Sequence, residues 1–213
     1  MSVWLDQHKP VLFDDLLTSS SVIDALKHLS LQANPPHLLL SGPAGCGKTT
    51  ALQLVCRQVL GPSWRATTHV LQARDLDKTA GAMAKFEAFL RPEGAGSEDT
   101  LAGRTSLDAF DHNISASADA SPPPAGEESI APAAGTLAAV SRIIIIEDAD
   151  YLGHARQSYL RRMMEESSRS ARFLFTTHTP SRIIEALRSR TQHVRMPSLT
   201  RLMIEQRLSL IHI

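Results

Sequence analysis

Gly42-Pro43-Ala44-Gly45-Cys46-Gly47-Lys48-Thr49 decides how this chain is read. An apolar run, His37-Leu38-Leu39-Leu40, leads into it. Residues 50–60 follow, with Leu52, Val55, Cys56, Val59 and Leu60 at helical spacing and Gly61 as the stop. Strand, glycine loop and helix in that order make a phosphate-binding loop. Glycines let consecutive backbone N–H groups point into one concavity, and the helix start adds its dipole. Gly42, Pro43, Ala44, Gly45, Cys46, Gly47 and Thr50 then shape the cradle, Lys48 reaches the β- and γ-phosphates, and the Thr49 hydroxyl sits on Mg²⁺. The expected ligand is a nucleotide.

On the N-terminal side, Pro10 argues against a helix through the first residues. Ser20 or Ser21 can cap a helix carrying Val22, Ala25, Leu26 and Leu29, ended before Pro35-Pro36. On the C-terminal side, His69-Val70-Leu71-Gln72-Ala73 reads as a second strand, and Asp75 or Asp77 opens a helix to about Arg91 with Met83, Phe86 and Leu90 along one side. Ile143-Ile144-Ile145-Ile146 predicts a strand buried on both faces of a parallel sheet, with Glu147-Asp148-Ala149-Asp150 at its C-terminal end, where open α/β sheets bind ligands. A charged helix over 154–166, a strand over 172–178, a short helix over 182–188 and a last strand over 193–196 complete the pattern. Pro197-Ser198 introduces a final amphipathic helix with Leu202, Ile204, Leu208 and Ile211. The fold class expected is α/β, a parallel sheet flanked by helices.

The chain has 213 residues, 43% of them apolar, enough for a core. Its two cysteines lie in the glycine loop and on the following helix, which suggests neither a disulfide nor a zinc framework, and the nine histidines lack metal-ligand spacing. No stretch approaches the ~20 apolar residues of a membrane span, and the first residues carry no signal-peptide pattern, so a soluble, intracellular protein with no membrane partner is expected. Net charge is zero, but residues 92–140 hold eight acidic residues against one basic, Arg104, which leaves the remainder with an excess of seven basic residues. That sign suits contact with a polyanion. Residues 92–140 are also rich in Ala, Ser, Gly and Pro and lack apolar periodicity, so a disordered acidic insertion is expected there.

In this order the motifs resemble the AAA+ domain of clamp-loader subunits, in particular the small subunits of replication factor C. The resemblance covers residues 1–91 and 141–213. Trp4-Leu5-Asp6 with Pro10 is similar to the family's Trp-x-Asp-Lys-Tyr-Arg-Pro segment, with His8-Lys9 in place of Tyr-Arg. Glu147-Asp148-Ala149-Asp150 occupies the Walker B place, Gln157 with Leu160-Arg161-Arg162 and Glu165 resembles the following helix, and Ser189-Arg190-Thr191 falls at the Ser-Arg-Cys motif. The resemblance implies ATP and Mg²⁺ as cofactors, with His8 and Pro10 bordering the adenine, Glu147 beside Thr49 in the Mg²⁺ shell and Asp148 as base. His178 would act as sensor 1, and Arg190 would reach a neighbouring subunit's ATP. It also implies a hetero-pentamer of loader subunits that places a sliding clamp on primer–template DNA in the nucleus, transferring phosphoryl groups to water. Residues 1–196 would then form the nucleotide-binding domain and 197–213 the start of a lid, so that the chain is expected to be a fragment or an incomplete gene model. One departure bears on activity. The acidic order is inverted, and an Asp in the base position is shorter by one C–C bond, ~1.5 Å. ATP binding is expected to survive, whereas fast hydrolysis is in doubt, and two alternatives follow: a non-hydrolysing structural subunit, or a subunit of an alternative or checkpoint loader.

Overall fold

Successive side chains of a strand point to opposite faces, and this alternation builds two cores from one short sheet. The computed structural model describes residues 8–76, 81–90, 121–128, 140–167 and 171–211. Strands β1 (Leu38–Ser41), β2 (Thr68–Gln72), β3 (Arg142–Glu147), β4 (Ala171–Thr177) and β5 (Gln192–Arg195) run parallel in the order β2-β3-β4-β1-β5. Leu38, Leu40, Ile143, Ile145 and Leu174 enter the core covered by helices α1 (Ser20–Leu31) and α2 (Lys48–Leu60). Leu39, Ile144, Ile146, Phe173 and Phe175 enter the other, covered by α3 (Ala82–Leu90) and α4 (Gly153–Glu166). This is the expected α/β architecture. A last helix, α5 (Arg201–Ile211), lies beyond β5. No helix among the described residues is long and apolar enough to cross a membrane.

Several boundaries differ from the sequence reading, each for a local reason. The N-cap of α1 is Ser19, not Ser20 or Ser21, and its hydroxyl lies 3.0 Å from that of Ser21 instead of bonding the helix. The helix expected from Asp75 or Asp77 is two pieces, a turn at Ala73–Leu76 and then α3, which begins directly after Gly81 in the left-handed region (φ 72°); residues 77–80 lie outside the described residues. Met83, Phe86 and Leu90 belong to the second core, where the Phe86 ring lies 6.2 Å from that of Tyr159 on α4. The helix expected over 182–188 is a 3-10 turn, Pro180–Arg182, and a second turn, Glu185–Arg188, separated by Ile183 in extended conformation with its side chain buried.

The acidic stretch holds the largest difference. Residues 121–128 are docked: Pro124 is buried, Ala125 packs against the first core, and the backbone of the segment bonds to the N-terminal region and to α2. Apolar periodicity does not register hydrogen bonds, and this segment is held chiefly by them, with three consecutive prolines that have little backbone freedom to lose. Residues 92–120 and 129–139 lie outside the described residues.

Candidate functional site

A parallel sheet collects the C-terminal ends of its strands on one edge, and β1, β3 and β4 there deliver the polar residues picked out from the sequence. Gly42 follows β1, and its N–H donates to the Thr177 carbonyl at 3.2 Å. A Cβ at Gly42 would lie 2.3 Å from the Met196 carbonyl oxygen, so the close approach of loop and β5 exit requires glycine. Gly45 and Gly47 turn the loop with φ of 75° and 88°, and α2 starts directly after Gly47. Lys48 is buried, and its ammonium donates to the carbonyls of Gly42 at 2.8 Å and Pro43 at 2.7 Å, against the loop that Ala44 and Cys46 complete. The Thr49 hydroxyl donates to Glu147 Oε1 at 2.9 Å, and the other Glu147 oxygen accepts from the Gln72 amide. The loop and the acidic strand end, 98 residues apart in sequence, are thus in direct contact.

Asp148 sits in the left-handed region (φ 53°), the single non-glycine residue with positive φ among the described residues. Its N–H donates to Thr176 Oγ1 at 3.0 Å. Its carboxylate lies between the Arg74 guanidinium, 3.3 Å from one oxygen, and His178 Nε2, 3.2 Å from the other. Arg74 also lies over the Tyr151 ring, 4.6 Å from its centroid. Asp150 is buried and accepts from Thr177 Oγ1 at 3.0 Å and from the His178 N–H at 3.3 Å, so it holds the strand end that carries His178. Sequence reasoning missed Gln72 and Arg74. Their signal was position: one ends β2 and the other follows it, on the edge where a parallel sheet presents ligand-binding residues.

Beside the loop lies a cavity of about 240 Å³. Gly45, Cys46, Gly47 and Thr50 line one side and His8 and Pro10 the other, while Leu16 and Leu17 make it partly apolar and Arg207 reaches in from α5. The Arg207 guanidinium is 3.8 Å from Asp15 Oδ1, which ties α5 to the segment before α1. No local pattern marks Leu16, Leu17 or Arg207, because they meet the loop only in the folded chain. Trp4, Leu5 and Asp6 lie outside the described residues.

Arg190 is elsewhere. It precedes β5, and Gln192 pairs with Leu38 at the start of β1, so Arg190 stands at the opposite edge of the sheet from the loop. Roughly 13 Å of strand, at ~3.3 Å per residue, separates the two ends. Its guanidinium donates to Glu165 Oε1 at 2.6 Å and to the Ala186 carbonyl at 2.9 Å, and the residue is exposed. The turn before it is fixed by Gln157, 2% exposed, whose amide donates to the Arg182 carbonyl at 3.0 Å and accepts from the Ile184 N–H at 2.8 Å.

A family model described as "AAA ATPase domain" matches residues 19–176. Among curated proteins, the chain is similar to the replication factor C small subunit of Natronomonas pharaonis, 27% identical over 98% of this chain and 51% of that one. It is also similar to the replication factor C small subunit of Methanosarcina barkeri (28%; 98% and 51%) and to replication factor C subunit 4 of Schizosaccharomyces pombe (27%; 96% and 48%). The chain spans about half the length of these relatives. Among solved structures, a RuvB variant from Thermotoga maritima superposes with a TM-score of 0.57 at 14% identity, over 97% of this chain and 55% of that one, a likeness of fold.

Proposed function

The chain belongs to the AAA ATPase domain family, and on that premise we propose that it is the nucleotide-binding part of a replication factor C-like subunit that loads a sliding clamp on primer–template DNA. The observation that carries the reading is the Thr49–Glu147 contact at 2.9 Å beside Lys48, with Asp148 and His178 on the same edge. ATP is the ligand, with its triphosphate in the loop and its base in the cavity lined by Pro10, Leu16 and Leu17. Lys48 exchanges its two loop carbonyls for phosphate oxygens. Thr49 and Glu147 present hard oxygen donors suited to Mg²⁺, which supplies charge neutralisation at the phosphates when bound. Among the described residues no three His, Cys, Asp or Glu side chains are grouped to hold a metal ion alone, so this pair would act with the phosphates and water. Asp148 orients the attacking water and takes its proton, and His178 donates to the same centre. Arg190 completes a neighbouring subunit's site. The partners are the other subunits of a hetero-pentamer, the clamp and DNA, in the nucleus, during replication or repair.

A second reading, in which the site binds ATP but serves assembly without turnover, is favoured by one observation. The shorter Asp148 is also held in two polar contacts, to Arg74 and His178. A misplacement of about 1 Å can lower a rate on the order of 10²-fold.

The test is ATP binding and turnover by the full-length gene product with its partner subunits and primed DNA. Lys48→Ala is expected to weaken ATP by about 3 kcal/mol, ~100-fold in Kd, for the loss of a charged donor. If Asp148→Ala abolishes a DNA-stimulated turnover, the site is catalytic. If ATP binds but turnover answers only to Arg190→Ala, the site is structural and the arginine serves its neighbour. Failure of the unaltered protein to bind ATP overturns both readings.

A further inference from the structure

We infer that residues 121–128 form a strap that positions one wall of the nucleotide cavity, and that Gln58 is the positioning residue that seats it; the inference rests on the nucleotide reading above. Gln58 lies on α2, the helix that begins at the phosphate loop, and is 5% exposed. Its side-chain oxygen accepts from the Ala125 N–H at 2.8 Å, and its amide donates to the Glu127 carbonyl at 2.9 Å. One buried amide thus takes both a donor and an acceptor of the strap's backbone, as a neighbouring strand would. Next to it, Arg57 donates to the Pro122 carbonyl at 3.2 Å, and the same nitrogen donates to the Val11 carbonyl. The strap closes a turn on itself, from the Gly126 N–H to the Pro123 carbonyl at 2.9 Å. Pro122, Pro123 and Pro124 fix three consecutive φ angles, so little conformational freedom is lost on docking.

The strap reaches the cavity through residues 11–15. Pro124 accepts from the Phe13 N–H at 2.9 Å, and Phe13 is fully buried. Asp15 Oδ2 accepts from the N–H groups of Val11 and Leu12 at 3.0 and 2.8 Å, which ties these residues into one knot. The knot meets the strap through Phe13 and through the Val11–Arg57–Pro122 bridge, and its neighbours Pro10, Leu16 and Leu17, with Asp15 itself, line the cavity. A wall already fixed in its binding geometry binds its ligand without the entropy cost of ordering it. The strap supplies that fixation from a stretch more than 100 residues away in sequence.

The test is the dissociation rate of a fluorescent ATP analogue, with Mg²⁺, from the full chain and its variants. Gln58→Met keeps the side-chain volume but removes both bonds, and a second variant replaces residues 121–128 by Gly and Ser at equal length. Each is expected to release the analogue roughly tenfold faster or more. Gln58→Glu keeps the acceptor for Ala125 and is expected to recover part of the loss. Met164→Ala, in the second core on the other face of the sheet, is expected to lower the unfolding midpoint without changing release. Unchanged release from both strap variants overturns the inference while leaving the nucleotide reading intact, and so does equal acceleration by Met164→Ala at matched stability loss. Failure of the unaltered chain to bind the analogue, with Lys48→Ala indistinguishable from it, overturns the nucleotide reading and the strap's role together.

Discussion

At the scale of single residues, the glycine loop shows how sequence and neighbours divide the work. The spacing of Gly42, Gly45, Gly47, Lys48 and Thr49 is legible without a structure, but the strict need for glycine at 42 comes from the Met196 carbonyl, 2.3 Å from where a Cβ would stand. Gly42→Ala is therefore expected to displace the loop or β5, at about 1–3 kcal/mol of stability for the overpacking, with weaker ATP binding; thermal unfolding and nucleotide titration check this. His37, at the entrance to β1, carries a pH dependence. Burial, reinforced by the nearby Arg172 charge, pushes its imidazole down to about 4, and its Nδ1 accepts from the Phe173 N–H at 3.0 Å, which needs the neutral ring. Above the ordinary value near 6.5 both folded and unfolded chains keep it neutral, and its contribution is complete. As pH falls from about 6.5 to about 4 the unfolded chain takes up a proton that the folded one refuses, so stability drops by about 1.4 kcal/mol per pH unit. Urea unfolding at pH 7, 5.5 and 4.5 is expected to show this slope, and His37→Gln to flatten it.

At the scale of elements, helical and strand periods located every strand and every long helix among the described residues, and the errors fell at ends and breaks. Periodicity does not register Gly81, whose left-handed backbone separates α3 from the turn before it, or Ile183, whose burial in extended conformation splits the last short helix. Gln157 illustrates a role that its element alone would not reveal. The motif on its charged helix marks it without giving it a role, and the structure shows it buried and holding the backbone on both sides of Ile183. Gln157→Ala is expected to cost on the order of 1–3 kcal/mol, the desolvation of two unpaired backbone groups, and to loosen the turn that presents Arg190. Differential scanning calorimetry gives the first quantity, and turnover by the assembled complex gives the second.

At the scale of the molecule, the parallel register of β1 and β5 places the glycine loop, which follows β1, at one end of the strands and Arg190, which precedes β5, at the other. One copy of this chain therefore does not bring its own Arg190 to its own loop. Arg190→Ala is expected to leave this chain's ATP affinity within about twofold while lowering turnover at the adjoining site by ~10³-fold or more, the range of an arginine supplied in trans. Affinity measured on the isolated chain and turnover measured on the complex separate the two effects. The division of the apolar residues into two cores is decided at this scale as well: β1 and β3 read as unbroken apolar runs because each is covered on both faces.

The fold class, the glycine loop and the acidic strand end were legible in the order of residues alone, because periodicity and loop chemistry act between residues close along the chain. Tertiary structure alone decided that Thr49 meets Glu147, that Arg74 and His178 share Asp148, that Leu16, Leu17 and Arg207 line one cavity, and that a segment of the acidic stretch docks on α2. The reason is physical. Each of these contacts joins residues far apart in sequence, and a hydrogen bond or ion pair of that kind forms only after the two cores have brought its partners within reach.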